Sequence, residues 1–374
     1  MTGRLKRRWV VLAGLLAVVA FVAALLLSRP QFGGSLTGER LARAQASPQY
    51  RDGAFTNLLP DPERSASDWW TLLKGQLSGD QVRVPPAAIP VVKVDPRSLE
   101  LLSTPGLRAF WIGHSSTFIE IDGLRVLLDP IFSEYASPFN VGPKRFHPPP
   151  IALAELPKID AVLISHDHYD HLDMRTVQHL ARQGTKFFVP LGVGAHLDRW
   201  GVPAPQIREL EWWQEESVAG VRIVCTPSRH YSGRRLTGRN ATLWSSWSVI
   251  GPQHRFYFSG DTGYSNHFAA IGERFGPFDM SFIKVGAYGP TAGWIEIHMS
   301  AEDAVRAHRD VRASRMFPLH WGTFNLAFHD WDEPIERALE AAARDNVDLV
   351  TPRVGEMVSA DQAFVSQRWW KDVR

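Results

Sequence analysis

The chain has 374 residues, room for two average domains or for one large α/β domain with an N-terminal extension. Its 41 Lys and Arg nearly balance its 39 Asp and Glu, which removes the usual reason to expect a polyanion partner such as nucleic acid. A single cysteine, Cys225, excludes an intrachain disulfide and any cysteine-rich zinc module, so a metal site would have to be built from His and carboxylates.

At the N-terminus, Arg4, Lys6, Arg7 and Arg8 precede an uncharged, almost wholly apolar run from Trp9 to Leu27, long enough to cross a bilayer core as a helix. A cleaved signal peptide is the alternative. Its apolar region is normally shorter, and this run ends in Leu25, Leu26 and Leu27 where a small-x-small cleavage site would stand. Residues 1–28 therefore read as a membrane anchor or an uncleaved signal. Four basic residues before the run and only Arg29 directly after it put the N-terminus in the cytoplasm and the rest outside, on the periplasmic side of a bacterial inner membrane.

Residues 29–105 form a proline-rich arm, with Pro60, Pro62, Pro85, Pro86, Pro90 and Pro96 and few periodic runs. From Gly106 the pattern changes. Thr117 to Ile121 and Leu124 to Leu128 read as strands joined by Asp122 and Gly123, a short-hairpin signal. Further strands are expected at Ala161 to Ile164, Lys186 to Val189, Val221 to Cys225, Arg255 to Phe258, Met280 to Val285 and Arg315 to Leu319. Helical patterns fall between them: Thr176 to Arg182 stopped by Gly184, Ala301 to His308 opened by a Ser300 and Asp303 capping box, and Pro334 to Ala343 with Pro in its first turn. Interleaved strands and helices over 106–360 predict a layered α/β catalytic domain, followed by a tail at 361–374.

The sharpest signal is SHDHYDHLD, with His166, His168, Asp170 and His171 directly after the apolar run IDAVLI. A buried strand ending in a turn splays consecutive side chains into one pocket, so alternate residues can face one metal while the next pair reaches a second. Neutral imidazole nitrogens and an anionic oxygen without sulfur suit zinc or a similar divalent ion.

These residues resemble the HxHxDH signature of the metallo-β-lactamase superfamily, and the resemblance extends to His230 in TPSRH, Asp261 in FSGDTG and His320 in PLHWG. It implies a four-layer αβ/βα sandwich and two divalent ions, Zn2+ by preference. His166, His168 and His230 would hold the first, Asp170, His171 and His320 the second, and Asp261 would bridge both. WIGHSST, LLDPIFS, RHYSGR, LWSSWSVIG, GDTGY, KVGAYGP, IHMSAEDAVRAH and HWGTFNLA resemble more closely the subgroup containing N-acylphosphatidylethanolamine-hydrolysing phospholipase D. This implies a phospholipid substrate cleaved at its head-group phosphodiester through a metal-bridging hydroxide, with Asp261, Asp170 and His298 as catalytic residues. Lactone hydrolysis and non-catalytic metal binding are the alternatives. Gly289 and Ile297 depart from the subgroup, which commonly has Glu and Gln there, and Thr291 to Glu296 diverges as well. Asp129 resembles a carboxylate that orients a ligand His, and His114 is expected to be a buried His bonded to backbone. Trp69, Trp70, Trp369 and Trp370 are candidates for the lipid interface.

Overall fold

The computed structural model describes residues 2–61, 65–100, 105–235 and 237–373. The basic flank at Arg4, Lys6 and Arg7, and Val10, Val11, Ala20, Ala23 and Leu26 of the apolar run, lie outside the described side chains. The N-terminal segment is a helix, α1 (Thr2–Leu27), whose side chains from Leu12 to Val19 are all exposed. Among the described residues no helix is long and apolar enough to cross a membrane. The arm carries α2 (Gly38–Gln45), a small hairpin of β1 (Tyr50–Arg51) and β2 (Ala54–Phe55), α3 (Ala66–Ser78) and α4 (Pro96–Glu100).

Two seven-stranded sheets follow. In the first, β16 (Met357–Ser359) sits beside β3 (Leu107–Gly113), β4 (Ser116–Ile121), β5 (Leu124–Leu128), β6 (Ala161–Leu163), β7 (Lys186–Pro190) and β8 (Ile207–Leu210), in that spatial order. In the second the order is β15 (Asp348–Leu349), β14 (Ala313–Leu319), β13 (Phe278–Lys284), β12 (Arg255–Phe258), β11 (Ser246–Ile250), β10 (Val221–Thr226) and β9 (Glu215–Val218). Each sheet is antiparallel in one half and parallel in the other. Parallel neighbours need crossovers. These include α5 (Met174–Arg182) and α6 (Gly194–Arg199) on the first sheet, and α7 (His267–Phe275), α9 (Ala301–Asp310) and α10 (Glu333–Asp345) on the second; the short α8 (Ala292–Ile295) precedes α9.

Side-chain alternation sorts the layers. Ala109, Trp111, Ile119 and Ile121 share one buried cluster with Ile223, Trp247, Val249 and Phe258 of the other sheet. Their neighbours Phe110, Ile112, Phe118 and Leu127 turn outward onto Val177 and Leu180 of α5 and Leu197 of α6. The result is helix, sheet, sheet, helix. In the β4–β5 hairpin, Asp122 and Gly123 take φ of 48° and 84°, the left-handed pair a two-residue turn requires. At α9 the cap is half of the expected box. Ser300 Oγ accepts the Asp303 N–H at 3.1 Å, but the Asp303 carboxylate takes the Ser300 hydroxyl at 2.9 Å instead of its backbone N–H.

Trp369 and Trp370 correct the expectation of a lipid-facing tail. Both rings are buried: Trp369 stacks on Trp321 at 5.3 Å, and Trp370 Nε1 donates to Glu336 Oε1 at 2.6 Å. Domain side chains cover this part of the tail, which a single sequence does not reveal. Trp69 and Trp70, on α3, are exposed.

Candidate metal centre

Every candidate ligand stands just beyond a strand end. The β6 strand runs into His166 through His171, β10 into His230, β12 into Asp261 and β14 into His320, so loops from both sheets converge at one rim of the sandwich. His320 takes a left-handed φ of 65°, and His114 and Asp129 take 55° and 33°. Such conformations are costly for residues with a Cβ and persist only where the surroundings enforce them.

The hydrogen bonds at the far side of each ring fix which nitrogen faces inward. Asp129 accepts the Ser165 N–H at 2.7 Å and the Ser165 hydroxyl at 2.5 Å, so Ser165 Oγ must accept from His166 Nδ1 at 2.9 Å. This leaves the lone pair of His166 on Nε2. Asp129 also accepts His171 Nδ1–H at 2.7 Å, and the Ile297 carbonyl accepts His230 Nδ1–H at 3.0 Å, leaving both Nε2 atoms inward as well. His166 Nε2 and His230 Nε2 then face His168 Nδ1 at 2.8 and 3.4 Å. Three nitrogens meet there as one group. Second-site partners of this kind raise ligand basicity and set ring orientation.

The second group is His114, Asp170, His171 and His320. Asp170 Oδ2 lies 2.9 Å from His114 Nε2, 3.4 Å from His171 Nε2 and 3.6 Å from His320 Nε2. Asp261 lies between the groups: Oδ1 is 3.0 Å from His320 Nε2, and Oδ2 is 3.4 Å from His171 Nε2 and 3.7 Å from His230 Nε2. His298 Nδ1 is 3.7 Å from the same Oδ2. All seven expected ligands and His298 are therefore brought together.

Burial holds His166, His168 and His230 below the ordinary imidazole range, so they stay neutral with lone pairs to offer. Burial works to raise Asp170 and Asp261, but the charges of His171 and His320, and for Asp170 the His114 bond, outweigh it and hold both carboxyls well below their usual range. For His171, burial opposes the proton, yet Asp261, Asp170 and Asp129 win and raise it. The cluster thus demands positive charge at its centre.

A divalent ion fits that demand. His171 Nε2, Asp261 Oδ1 and His320 Nε2 are buried without a hydrogen-bond partner, an arrangement costly in a closed protein interior and natural for ligand atoms. Neutral imidazoles with two carboxylates and no sulfur suit zinc or a similar first-row ion.

Two residues here were not read from the sequence. His114 was expected to bond backbone; instead its Nε2 faces Asp170, while burial first, and the His320 charge next, pull its pKa down to about 3. Its main chain is bonded as well: Thr323 Oγ1 accepts its N–H at 2.6 Å, and its carbonyl accepts Trp111 Nε1–H and the His320 N–H. The GHSS block offered no spacing signal for this. Lys284 is buried at the end of β13, its Nζ donating to the Gly286 carbonyl at 2.7 Å. Burial pulls it down to about 8 against the charges of Asp261 and Asp170. Its one signal was a charged residue closing the run MSFIK.

Beside His298 opens a mainly apolar cavity of about 170 Å³, lined by Trp69 and Leu72 of α3, Tyr231, Trp294 and Ile297. Gly289 explains the divergent segment behind it. A Cβ at Gly289 would meet the Trp294 ring at 2.1 Å, so the indole occupies the space beside residue 289. Trp294 Nε1 donates to the Ala287 carbonyl at 2.9 Å, which locks the ring in place.

The chain matches a family model described as a beta-lactamase superfamily domain over residues 124–321. It is similar to an uncharacterized protein of Mycobacterium tuberculosis, 47% identical over 341 residues, covering 88% of this chain and 89% of that one. It is also similar to N-acyl-phosphatidylethanolamine-hydrolyzing phospholipase D 1 of Caenorhabditis elegans, 36% identical over 274 residues and covering 69% and 77% of the two chains. Among solved structures, Igni18, a metallo hydrolase of the archaeon Ignicoccus hospitalis, matches with a TM-score of 0.52 at 21% identity over 68% of this chain and 97% of that one, a likeness of fold.

Proposed function

The chain belongs to the metallo-β-lactamase superfamily and is a metal-dependent hydrolase; from that premise we propose that it cleaves the head-group phosphodiester of N-acylphosphatidylethanolamine or a related phospholipid, releasing phosphatidate. The observation that carries this reading is the apolar cavity of about 170 Å³ directly beside His298, sized for part of an acyl chain and open next to the ligand cluster. The activity named for the Caenorhabditis elegans relative supports it.

Two ions held by His166, His168 and His230, by Asp170, His171 and His320, and by Asp261 between them would supply an activated water and neutralise charge on a phosphodiester oxygen. The protein's own groups do the positioning. Asp261, held ionised, fixes the line between the two ligand groups. His298 stays neutral, through burial and the Lys284 charge, and lines the cavity, where it would face the phosphodiester. Lys284 adds a buried positive charge that feels Asp261 and Asp170 and would offset an anionic substrate. Trp294 replaces a polar head-group contact with an apolar face, which supports a broader head-group preference than the relative's name specifies.

The reading includes a membrane partner. The apolar run to Leu27 exposes Leu15, Leu16, Val18, Val19, Phe21 and Leu25, which supports α1 as an anchor holding the domain beside its lipid on the extracytoplasmic side. Protease added to intact spheroplasts is expected to reach the catalytic domain, and protection until lysis would overturn the orientation. For the chemistry, metal-loaded protein is offered N-acylphosphatidylethanolamine, phosphatidylethanolamine and an acyl lactone, with His168→Ala as blank. Phosphatidate is the expected product by mass spectrometry. Lactone opening alone would transfer the reading to a lactonase.

A further inference from the structure

Nothing in the ligand spacing gives the arm a part in the centre, yet its hydrogen bonds fall on the loops of the three-histidine group. Asn57 straddles the His230 peptide: its Oδ1 accepts the His230 N–H at 3.1 Å, and its Nδ2 donates to the His230 carbonyl at 2.8 Å. The remaining capacity is also used, since Oδ1 accepts Trp244 Nε1–H at 3.0 Å and Nδ2 donates to Asp61 Oδ1 at 2.7 Å. An amide has two donors and two acceptor lone pairs, so Asn57 is saturated and its orientation is determined. Two residues away Phe55 is fully buried in the domain core, which pins this stretch of arm.

A second arm contact reaches the turn between His166 and His168. Gly34 N–H donates to His196 Nδ1 at 3.1 Å, which makes Nδ1 the acceptor and sends the Nε2 proton to Asp167 Oδ2 at 3.2 Å. The other oxygen of Asp167 accepts the Gly233 N–H at 2.8 Å, and its carbonyl accepts Arg234 Nη1–H at 2.9 Å while Arg234 Nε donates to the Gln31 carbonyl at 2.7 Å. The residue between two ligands is thus held at both its carboxylate and its main chain. The approach needs glycine: a Cβ at Gly33 would lie 2.1 Å from His196 Nδ1.

We propose that Asn57, and Gly34 acting through His196 and Asp167, are positioning elements that set the geometry of the His166, His168 and His230 group, making the affinity of the first ion depend on the arm. This rests on the two-ion reading above. His171 and Asp170 take their bonds from Asp129 and His114, inside the catalytic domain, so the second ion is less coupled to the arm.

The test uses the full chain and stepwise Co2+ titration against a competing chelator, read by absorption spectra. His168→Ala and His320→Ala identify the signatures of the first and second ion. Asn57→Leu is expected to weaken the first ion by roughly 10- to 100-fold, the range for lost outer-shell partners, and the second by less than about threefold. Asn57→Asp keeps the side-chain volume and the acceptor toward His230 N–H but sets a carboxylate against Asp61 and the His230 carbonyl, so it is expected to weaken the first ion at least as much as Asn57→Leu, which separates positioning from loss of bulk. If Asn57→Leu fails to fold by circular dichroism, Asn57→Asp alone carries the comparison. Equal weakening of both ions, or no change in either, overturns the proposal while leaving two ions in the wild type. A wild type that binds fewer than two overturns the two-ion reading itself.

Discussion

The ligand cluster and the wall facing it, from Ala287 to His298, are built by different means. In the cluster the ring nitrogens of His166, His171 and His230 turned away from the centre are bonded, to Ser165, Asp129 and the Ile297 carbonyl, so little freedom is left to the inward atoms. The wall is packed on Trp294, which fills the space beside Gly289 with its indole donating to the Ala287 carbonyl, while the other side-chain bonds of the segment, Tyr288 to Glu333 and Glu296 to Arg229, do not reach a ligand ring. Hydrogen-bonded polar networks specify one arrangement, whereas apolar surfaces of similar volume exchange at modest cost. The difference teaches where the proposed activity divides, with the cluster carrying the reaction and the wall the substrate preference, so the two should respond separately to mutation.

The sharpest break of that separation is Asp261→Asn. Losing the charge between both groups is expected to lower phosphodiester turnover on the order of 10³-fold, the scale of a removed transition-state charge stabiliser, with circular dichroism unchanged. Full activity with two ions by elemental analysis would remove Asp261 from its place between the halves. Next comes Asp129→Asn. Because one carboxylate orients His171 directly and His166 through Ser165, it should weaken both ions by roughly 10- to 100-fold, whereas Asn57→Leu should affect one. Selective loss of a single ion in Asp129→Asn would contradict the shared hydrogen-bond pattern.

The wall is tested by Gly289→Glu. With Trp294 present, the new side chain overpacks the site and should cost about 1–3 kcal/mol of stability in denaturant melts. With Trp294→Ala added, the stability should return and the preference move toward substrates with a cationic head group, the metal content being unchanged in both. A Gly289→Glu protein as stable as wild type would show that the indole can leave freely.

The same contrast explains what was legible in the sequence. Eight expected strands and three helices are present with ends shifted by a few residues, because buried runs bounded by turn residues carry their own signal. Four candidate ligands were legible because they lie in six positions, and His230, Asp261 and His320 were legible through the family resemblance of TPSRH, FSGDTG and PLHWG. His114 and Lys284 were not, since only the fold brings the β3–β4 turn beside Asp170 and the end of β13 within the field of Asp261. Strand β11 escaped because SWSVI follows a further turn-prone residue, Ser245, and is itself short with two Ser, and β9 because Glu215 and Glu216 lie in it. Trp294 and Gly289 were visible as a departure from the family, but their mutual packing was not.

The smallest expected effect concerns acid. The cluster stands on buried polar groups: Thr323, which accepts the His114 N–H, lies 3.3 Å from Nε2 of His147, and His147 is itself buried. Burial first, and the Arg145 charge next, pull the His147 pKa down to about 3, against a weaker pull from the Pro148 carbonyl. The folded value is therefore depressed below the unfolded one. Between pH about 6.5 and about 3 the unfolded chain binds a proton that the folded chain refuses, so stability rises with pH across this window and is lost as pH falls through it. The contribution to the slope is at most about 1.4 kcal/mol per pH unit. Replacing His147→Gln removes the titration while keeping an amide that can donate toward Pro148, so urea midpoints followed from pH 7 to pH 4 should fall less steeply than in wild type. Trp294→Ala, which alters only the wall, should leave that slope as it was. If both variants lose stability with wild-type steepness, the acid sensitivity lies elsewhere and His147 has no part in tying cluster stability to pH.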